Sequence, residues 1–344
     1  DDLLGLLWAG MVSGCLYAMG AIGIVLIYKS SMVVNFAHGN LAGLSAFLVF
    51  GFTAGIFANM AWGLAVLLTL VIMVAVMAGC YFLIAPLVFK SDLTSTIATL
   101  GIGLVAQGAT QLLFGSNVVS MDLPLPDWRG QLGPVRISTY DLAVLGVTLA
   151  VIGLLYLLIE RTRIGIAFRA VSANPFASRV CGLNLRQVHL FSWVVAGLLG
   201  LVASLLIVPT TFLSSTSVSS FMLQAFAAAV VGGFSSLPGA VLGGILVGIL
   251  MNLRSFYIAA EFSNTYLLLT MLLVLFTRNL SKLSLSFLGS CAAVRPAKPS
   301  SRARSWYRSR TSTMPNWRTN TPECLREITT PELSSSLSAS RTGT

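Results

Sequence analysis

Apolar runs of about twenty residues recur along this chain from Leu3 to Phe276. A lipid core of about 30 Å demands that length of a helix that crosses it. Of the 344 residues, 56% are hydrophobic and 9% are charged, where an ordinary soluble domain carries about a quarter charged residues. Water is therefore not the solvent for most of the chain, and the fold class that follows is all-α, a polytopic transmembrane helical bundle. Apolar segments fall at 3–28, 33–51, 62–89, 93–114, 140–160 and 190–213, with a Gly-punctuated pair at 221–233 and 237–250 and a last one near 265–277. Eight or nine membrane segments are expected. The first run reaches from Leu3 to Tyr28 with no basic region before it, so it reads as a membrane helix rather than a signal peptide. The chain begins at Asp1 without a methionine, which leaves open residues upstream.

Lys and Arg in short connections mark the cytoplasmic side. Lys29, Lys90 and the group Arg161, Arg163, Arg169, Arg179 and Arg186 are expected there. Counting spans between them puts the N-terminus and the 115–139 loop outside, with Arg129 and Arg136 as exceptions. The pair at 221–250 is short for a double crossing, since 13 or 14 residues at about 1.5 Å each reach about 20 Å. It reads as two half-helices meeting near Gly232, Gly233, Pro238 and Gly239, which would have to be shielded or line a path. The alternative is one long tilted helix with a proline kink.

Two domains are expected: a transmembrane domain over 1–280 and a tail over 281–344. The tail holds ten Lys/Arg against three Glu in a Ser/Thr/Pro-rich background, a composition that orders poorly. Its run from Arg295 to Arg310 suits anionic membrane lipid, although a solvated or artefactual extension fits as well. Five scattered cysteines without a CxxC pair suggest neither a disulfide framework nor a zinc site. No phosphate loop, HExxH or paired carboxylate appears within an apolar segment, and the chain has two histidines. No catalytic residue, metal, cofactor or nucleic-acid partner is expected.

Three stretches stand out. Asn35, His38 and Asn40 open the second segment; Asn35 and His38, three apart, share a helical face, and Gly39 and Gly43 form a small-xxx-small step. Thr99, Gly103, Gln107 and Gln111 step by four along the fourth segment, a small polar face that must look toward protein or water. For both, interhelical hydrogen bonding and a part in solute passage remain open. The third stretch is the loop from Glu160 to His189. Asn174 and Pro175 read there as N-cap and first helical residue, and Gly182 reads as the left-handed residue ending a short helix. Between them Phe176 and Val180 share one face, flanked by Ala177 and Arg179, where a cytosolic partner could grip.

These stretches resemble the branched-chain amino acid ABC transporter permease family. The likeness rests on Val34 to Leu41, on Gly165 to Val171 with Asn174-Pro175, Ala177 and Gly182-Leu183-Asn184, and on Ala225 to Phe234 with Leu237 to Ala240 and Gly243-Gly244. It covers residues 3 to 280. The resemblance implies a bacterial inner-membrane subunit that moves branched-chain or other small amino acids, or urea and amides, by ATPase-driven alternating access. It implies as partners a second permease of the same family, cytosolic ATP-binding subunits that hydrolyse the ATP, and a periplasmic or lipid-anchored solute-binding protein. It also makes 165–184, with Arg169, Ala170 and the capped helix, the coupling loop. The alternative, an ATP-independent secondary transporter, calls for buried carboxylates or a sodium site, yet Asp92, Asp141, Glu160 and Glu261 all sit at segment ends.

Overall fold

The computed structural model describes residues 2–54, 60–88, 92–115, 117–121, 123, 124, 126, 128–132, 135–214, 217–257, 265–274 and 276. The tail expected at 281–344, together with Lys90 and Glu261, lies outside the described residues. The helices are α1 (Asp2–Ser31), α2 (His38–Thr53), α3 (Trp62–Val88), α4 (Asp92–Phe114), α5 (Thr139–Arg161), α6 (Arg163–Ala173), α7 (Pro175–Val180), α8 (Leu185–Ile207), α9 (Ser217–Gly232) and α10 (Leu237–Tyr257). A further apolar helix, α11, spans Thr265–Val274. Among the described residues six helices are long and apolar enough to cross a membrane, namely α1, α3, α4, α5, α8 and α10. With the shorter α2, α9 and α11, the chain is a polytopic helical bundle that fits eight or nine segments.

The helix at the centre is α1. Its membrane stretch is 89% buried, against 28% for α3 and 22% for both α4 and α5, so α1 is wrapped by protein while those three leave most of their apolar surface facing outward. Lipid tails are as apolar as leucine, so close packing rather than hydrophobic expulsion holds membrane helices together. The contact between α1 and α10 shows how close that packing becomes. A Cβ on Gly10 would lie 2.8 Å from the Ile249 Cα, one on Gly14 2.6 Å from the Ile245 Cα, and one on Gly244 2.5 Å from the Ala18 Cα. A Cβ on Gly248 would run into the backbone of Gly14. Gly10, Gly14 and Ala18 thus meet Gly244 and Gly248 with nothing larger than the Ala18 methyl between, two ridges with four-residue spacing pressed backbone to backbone. Beyond the seam Asn252 Nδ2 donates to Ser13 Oγ at 3.3 Å and to the Gly248 carbonyl at 3.2 Å.

The hairpin at 221–250 is present, with arms longer than the apolar runs. The first arm starts at Ser217 and the second continues to Tyr257, because the polar Ser217, Ser219, Ser220, Asn252 and Arg254 are helical although they fall outside the runs. Gly232, Gly233, Pro238 and Gly239 lie at or beside its turn: a Cβ on Gly232 would strike the Gly239 carbonyl, and Gly233 has φ +89°. The tip reaches the end of α1. Phe234 stands 4.9 Å from Tyr28 by ring centroid and 5.7 Å from Phe226, which is itself 5.5 Å from Phe36.

At the opposite end of the bundle two loops are joined. Val119 and Leu213 exchange backbone bonds at 3.0 and 2.8 Å, and the Tyr140 hydroxyl donates to the Leu206 carbonyl at 2.5 Å. A two-stranded antiparallel hairpin, β1 (Arg129–Leu132) and β2 (Val135–Ser138), is added to the otherwise helical chain. It leads into α5 through a capping box of Ser138 and Asp141.

Gly248→Ala places a methyl group in the Gly14 backbone and is expected to cost about 1–3 kcal/mol. Gly101→Ala, in open space on α4, is expected to gain up to about 1 kcal/mol of helix propensity. Melting of the detergent-purified protein should therefore move down for the first variant and not for the second.

Candidate functional site

The loop between α5 and α8 is built by three side-chain caps in succession. Thr162 Oγ1 accepts from the Gly165 N–H at 3.1 Å and opens α6, Asn174 Oδ1 accepts from the Ala177 N–H at 3.0 Å and opens α7, and Asn184 Oδ1 accepts from the Arg186 N–H at 3.1 Å and opens α8. Pro175 occupies the first turn of α7, where its missing N–H costs nothing. Beyond α7 Gly182 takes φ +81°. Its N–H reaches the Arg179 carbonyl at 3.0 Å and the Leu183 N–H reaches the Ser178 carbonyl at 3.0 Å, the two bonds of a Schellman termination.

This capped unit is anchored on one side and bare on the other. Phe168 and Val171 of α6 and Ser178 of α7 are buried, whereas Phe176 is 78% and Val180 73% exposed. Gly165 comes so near the Leu158 and Ile159 carbonyls that no Cβ fits, which seats α6 hard against the end of α5. Arg169, at the α6 surface, forms an ion pair with Glu160 of α5. Ala170 accepts the Asn174 N–H at 3.0 Å, so α6 ends where α7 begins.

The other two stretches come together. The Thr99 hydroxyl, fully buried on α4, accepts from the Phe36 N–H at 3.1 Å and lies 3.2 Å from the Val34 carbonyl and 2.6 Å from the Thr96 carbonyl. Thr99 therefore fastens the elbow between α1 and α2. Asn35 precedes α2 instead of sharing its face with His38, because its Oδ1 accepts from the Ala37 N–H at 3.0 Å and makes a local turn of the kind Asx side chains favour. His38 is buried in a slot between glycines. A Cβ on Gly23 of α1 would meet its Nε2 at 2.6 Å, and one on Gly200 of α8 its Cε1 at 3.2 Å. Asn40 lies against α4 at Gly103, where a Cβ would stand 3.0 Å from its Nδ2.

The stripe on α4 does not stay on one side. Thr99 is buried, Gln107 is half-buried and Gln111 is exposed. Steps of four residues on a 3.6-residue helix drift about 40° each, so three steps carry Gln111 about a third of a turn away. The buried face runs instead through Ser95, Thr99, Ala106 and Thr110.

A pocket of ≈ 350 Å³ opens at the far end of the bundle, among α1, α5, α8, α9 and α10. Its lining is mixed, with the apolar Leu16, Phe221 and Met251 and the polar Tyr17, Gln224, Asn252 and Arg254. No carboxylate lines it among the described residues. The signal for these residues in the sequence is Asn252-Leu253-Arg254 at the end of an apolar run, which looks like the end of a span rather than part of one. An Arg at that position facing inward is a functional pointer.

The profile of the family described as "Branched-chain amino acid transport system / permease component" matches residues 6–277. The chain belongs to this family. It is 28% identical to the probable branched-chain amino acid transport permease protein LivH of Methanocaldococcus jannaschii, over 72% of this chain and 79% of the relative. It is 27% identical to the high-affinity branched-chain amino acid transport system permease protein BraD of Pseudomonas aeruginosa, over 70% and 82%. A ribose import permease, RbsC of Escherichia coli, is 25% identical over 68% and 73%. These relatives are named as transport permeases, in keeping with a multi-pass membrane protein that serves transport.

Asn174→Ala removes the cap of α7 and is expected to cost about 1 kcal/mol locally. Amide exchange at Ala177 should then speed up by about fivefold while the buried stretch of α1 stays protected.

Proposed function

We propose that this chain is the membrane subunit of an ABC importer in the bacterial inner membrane, moving branched-chain or other small amino acids into the cytosol by alternating access. The observation that carries this reading is the capped, displayed helix α7, fixed to the bundle through Phe168 and Val171 while Phe176 and Val180 stand bare. An exposed aromatic on a rigid scaffold is the form a protein-docking anchor takes. Cytosolic ATP-binding subunits are the proposed occupants, with a second permease of the family beside this one. ATP closure would pull on Arg169, Ala170, Asn174, Pro175, Phe176, Ala177, Arg179 and Gly182 as one unit, since the caps and the Schellman bonds join them. The basic residues around α6 and α7 support a cytosolic position for this face.

The pocket at the opposite end would then face the periplasm and the solute-binding protein. Its lining, with Tyr17, Gln224 and Asn252 beside Leu16, Phe221 and Met251, suits a small solute that has both a polar and an apolar part. Asn35, His38, Asn40 and Thr99 form a packed joint between α1, α2 and α4, and are proposed as the joint on which the two states turn. Gln107 and Gln111, less buried, are proposed to face the path or the second permease. Hairpin residues Gly232, Gly233, Pro238 and Gly239 are proposed as a tip that moves with α6.

Phe176→Glu is expected to lower capture of the cognate ATPase in mild detergent by about thirtyfold, the loss of an aromatic anchor worth 2 kcal/mol or more, with melting unchanged. Arg179→Glu combined with Gly182→Pro should abolish it. Equal capture by all three chains, or solute uptake by reconstituted vesicles without ATP, would sink the proposal.

A further inference from the structure

A second cavity, of ≈ 570 Å³, lies between α5 and α10 with α1 behind it. Its walls are apolar: Ile152, Tyr156 and Ile159 come from α5, and Val241 and Leu242 from α10. Its outer lip is open, with Tyr156 64% and Leu242 69% exposed. One end is charged, for Lys29 of α1, Glu160 of α5 and Arg169 of α6 all line it, beside Ser235 and Ser236 of the hairpin turn. Arg169 and Glu160 are paired. Lys29, in the last turn of α1, makes no ion pair among the described residues, so the three groups together leave one positive charge at the end of an apolar groove.

The groove extends along α5 from Glu160 back to Ile152, about 12 Å at 1.5 Å per residue. Both of its walls belong to helices that qualify as membrane spans. Within a bilayer such a groove has no water to fill it, and an acyl chain matches its walls. At the charged end a phosphate matches Lys29 and Arg169, and an anionic headgroup keeps its charge there, whereas in a choline or ethanolamine lipid the headgroup cation offsets that of the phosphate. We infer that the α5–α10 groove binds one anionic phospholipid, its phosphate at Lys29 and Arg169 and one acyl chain along Ile152, Tyr156 and Leu242. The lipid lies between the hairpin tip and α6 and touches both, so its removal alters the surroundings of the helix that carries α7.

Native mass spectrometry of the full chain, released from mixed micelles with equal phosphatidylglycerol and phosphatidylcholine, tests this directly. One retained phosphatidylglycerol is expected per chain, enriched about fivefold over phosphatidylcholine, as one basic side chain near an anionic headgroup provides. Lys29→Ala should erase the preference but keep a lipid. Leu242→Trp should expel the lipid with Lys29 intact, and Arg186→Ala, on the same face but away from the groove, should change nothing. Equal retention of both lipids by the unaltered chain, or a preference unmoved by Lys29→Ala and Leu242→Trp, overturns the inference. So does efficient disulfide cross-linking of two chains through Leu242→Cys, which would make the groove a subunit interface.

Discussion

Two glycine-rich ridges touching through their backbones, Gly10, Gly14 and Ala18 against Gly244 and Gly248, set the distance between α1 and α10, and most of the architecture is measured from that distance. In lipid, apolar side chains gain little by leaving one apolar surface for another, so dispersion at close range and the occasional hydrogen bond must do what the hydrophobic effect does in water. α1 satisfies this on several sides at once. It meets α10 along the seam, α9 where Gly20 leaves room for Ala225, and the His38 imidazole where Gly23 opens a slot shared with Gly200. The large side chains Ile22, Ile24 and Leu26 fill the remaining directions. Its burial follows from this alternation of small and large residues.

Polar groups inside the bundle are placed economically. Ser30, Ser31, Thr69, Thr110 and Ser192 return their hydroxyls to carbonyls three or four residues back in their own helices, which satisfies them without specifying a neighbour. Other hydroxyl contacts do specify one, as two of them show. Ser45 and Ser204 join α2 to α8 at 3.1 Å, and Thr99 holds the α1–α2 elbow to α4. A polar contact between helices costs little when made and much when broken in a medium without water. Thr99 and the Ser45–Ser204 pair are therefore positional markers more than sources of stability.

The sequence disclosed unevenly what the structure contains. α7 was legible residue by residue, because Asn174, Pro175 and Gly182 act through local backbone chemistry that requires no knowledge of neighbours. The hairpin was legible as a pair of arms but not in length, since apolar runs end at the first polar residue whereas helices continue while hydrogen bonds can be made. The α4 stripe was drawn with a period of four and the helix turns with 3.6, so Thr99 faces inward and Gln111 outward. The α1–α10 seam was hidden for another reason. Glycines spaced four apart occur in many places here, and which of them meet is decided by a partner more than two hundred residues away. Arg254 was obscured by its position at the end of an apolar run, a place where basic residues are common and seldom informative.

α1 joins the two ends of the molecule. Leu16 and Tyr17 border the far pocket, and Ile22 and Lys29 border the α5–α10 groove. A seam with nothing larger than a methyl in it resists separation, because parting it would leave a gap that neither lipid nor a rotamer change could fill, but it resists sliding and rotation less, having no large knobs to ride over. Any rearrangement that keeps the seam closed therefore carries α1 and α10 as one body. The parts outside that body are α6 and α7, held by Phe168 and Val171 on one flank, and the elbow, held by Thr99, His38 and Asn40. The ring chain from Tyr28 through Phe234 and Phe226 to Phe36 ties the hairpin tip to that elbow, and the groove beside the tip opens on α6. Under the docking role proposed for α7, a push on it would reach the hairpin through the groove that α6 and the turn share, and through α10 and the seam the pocket at the other end.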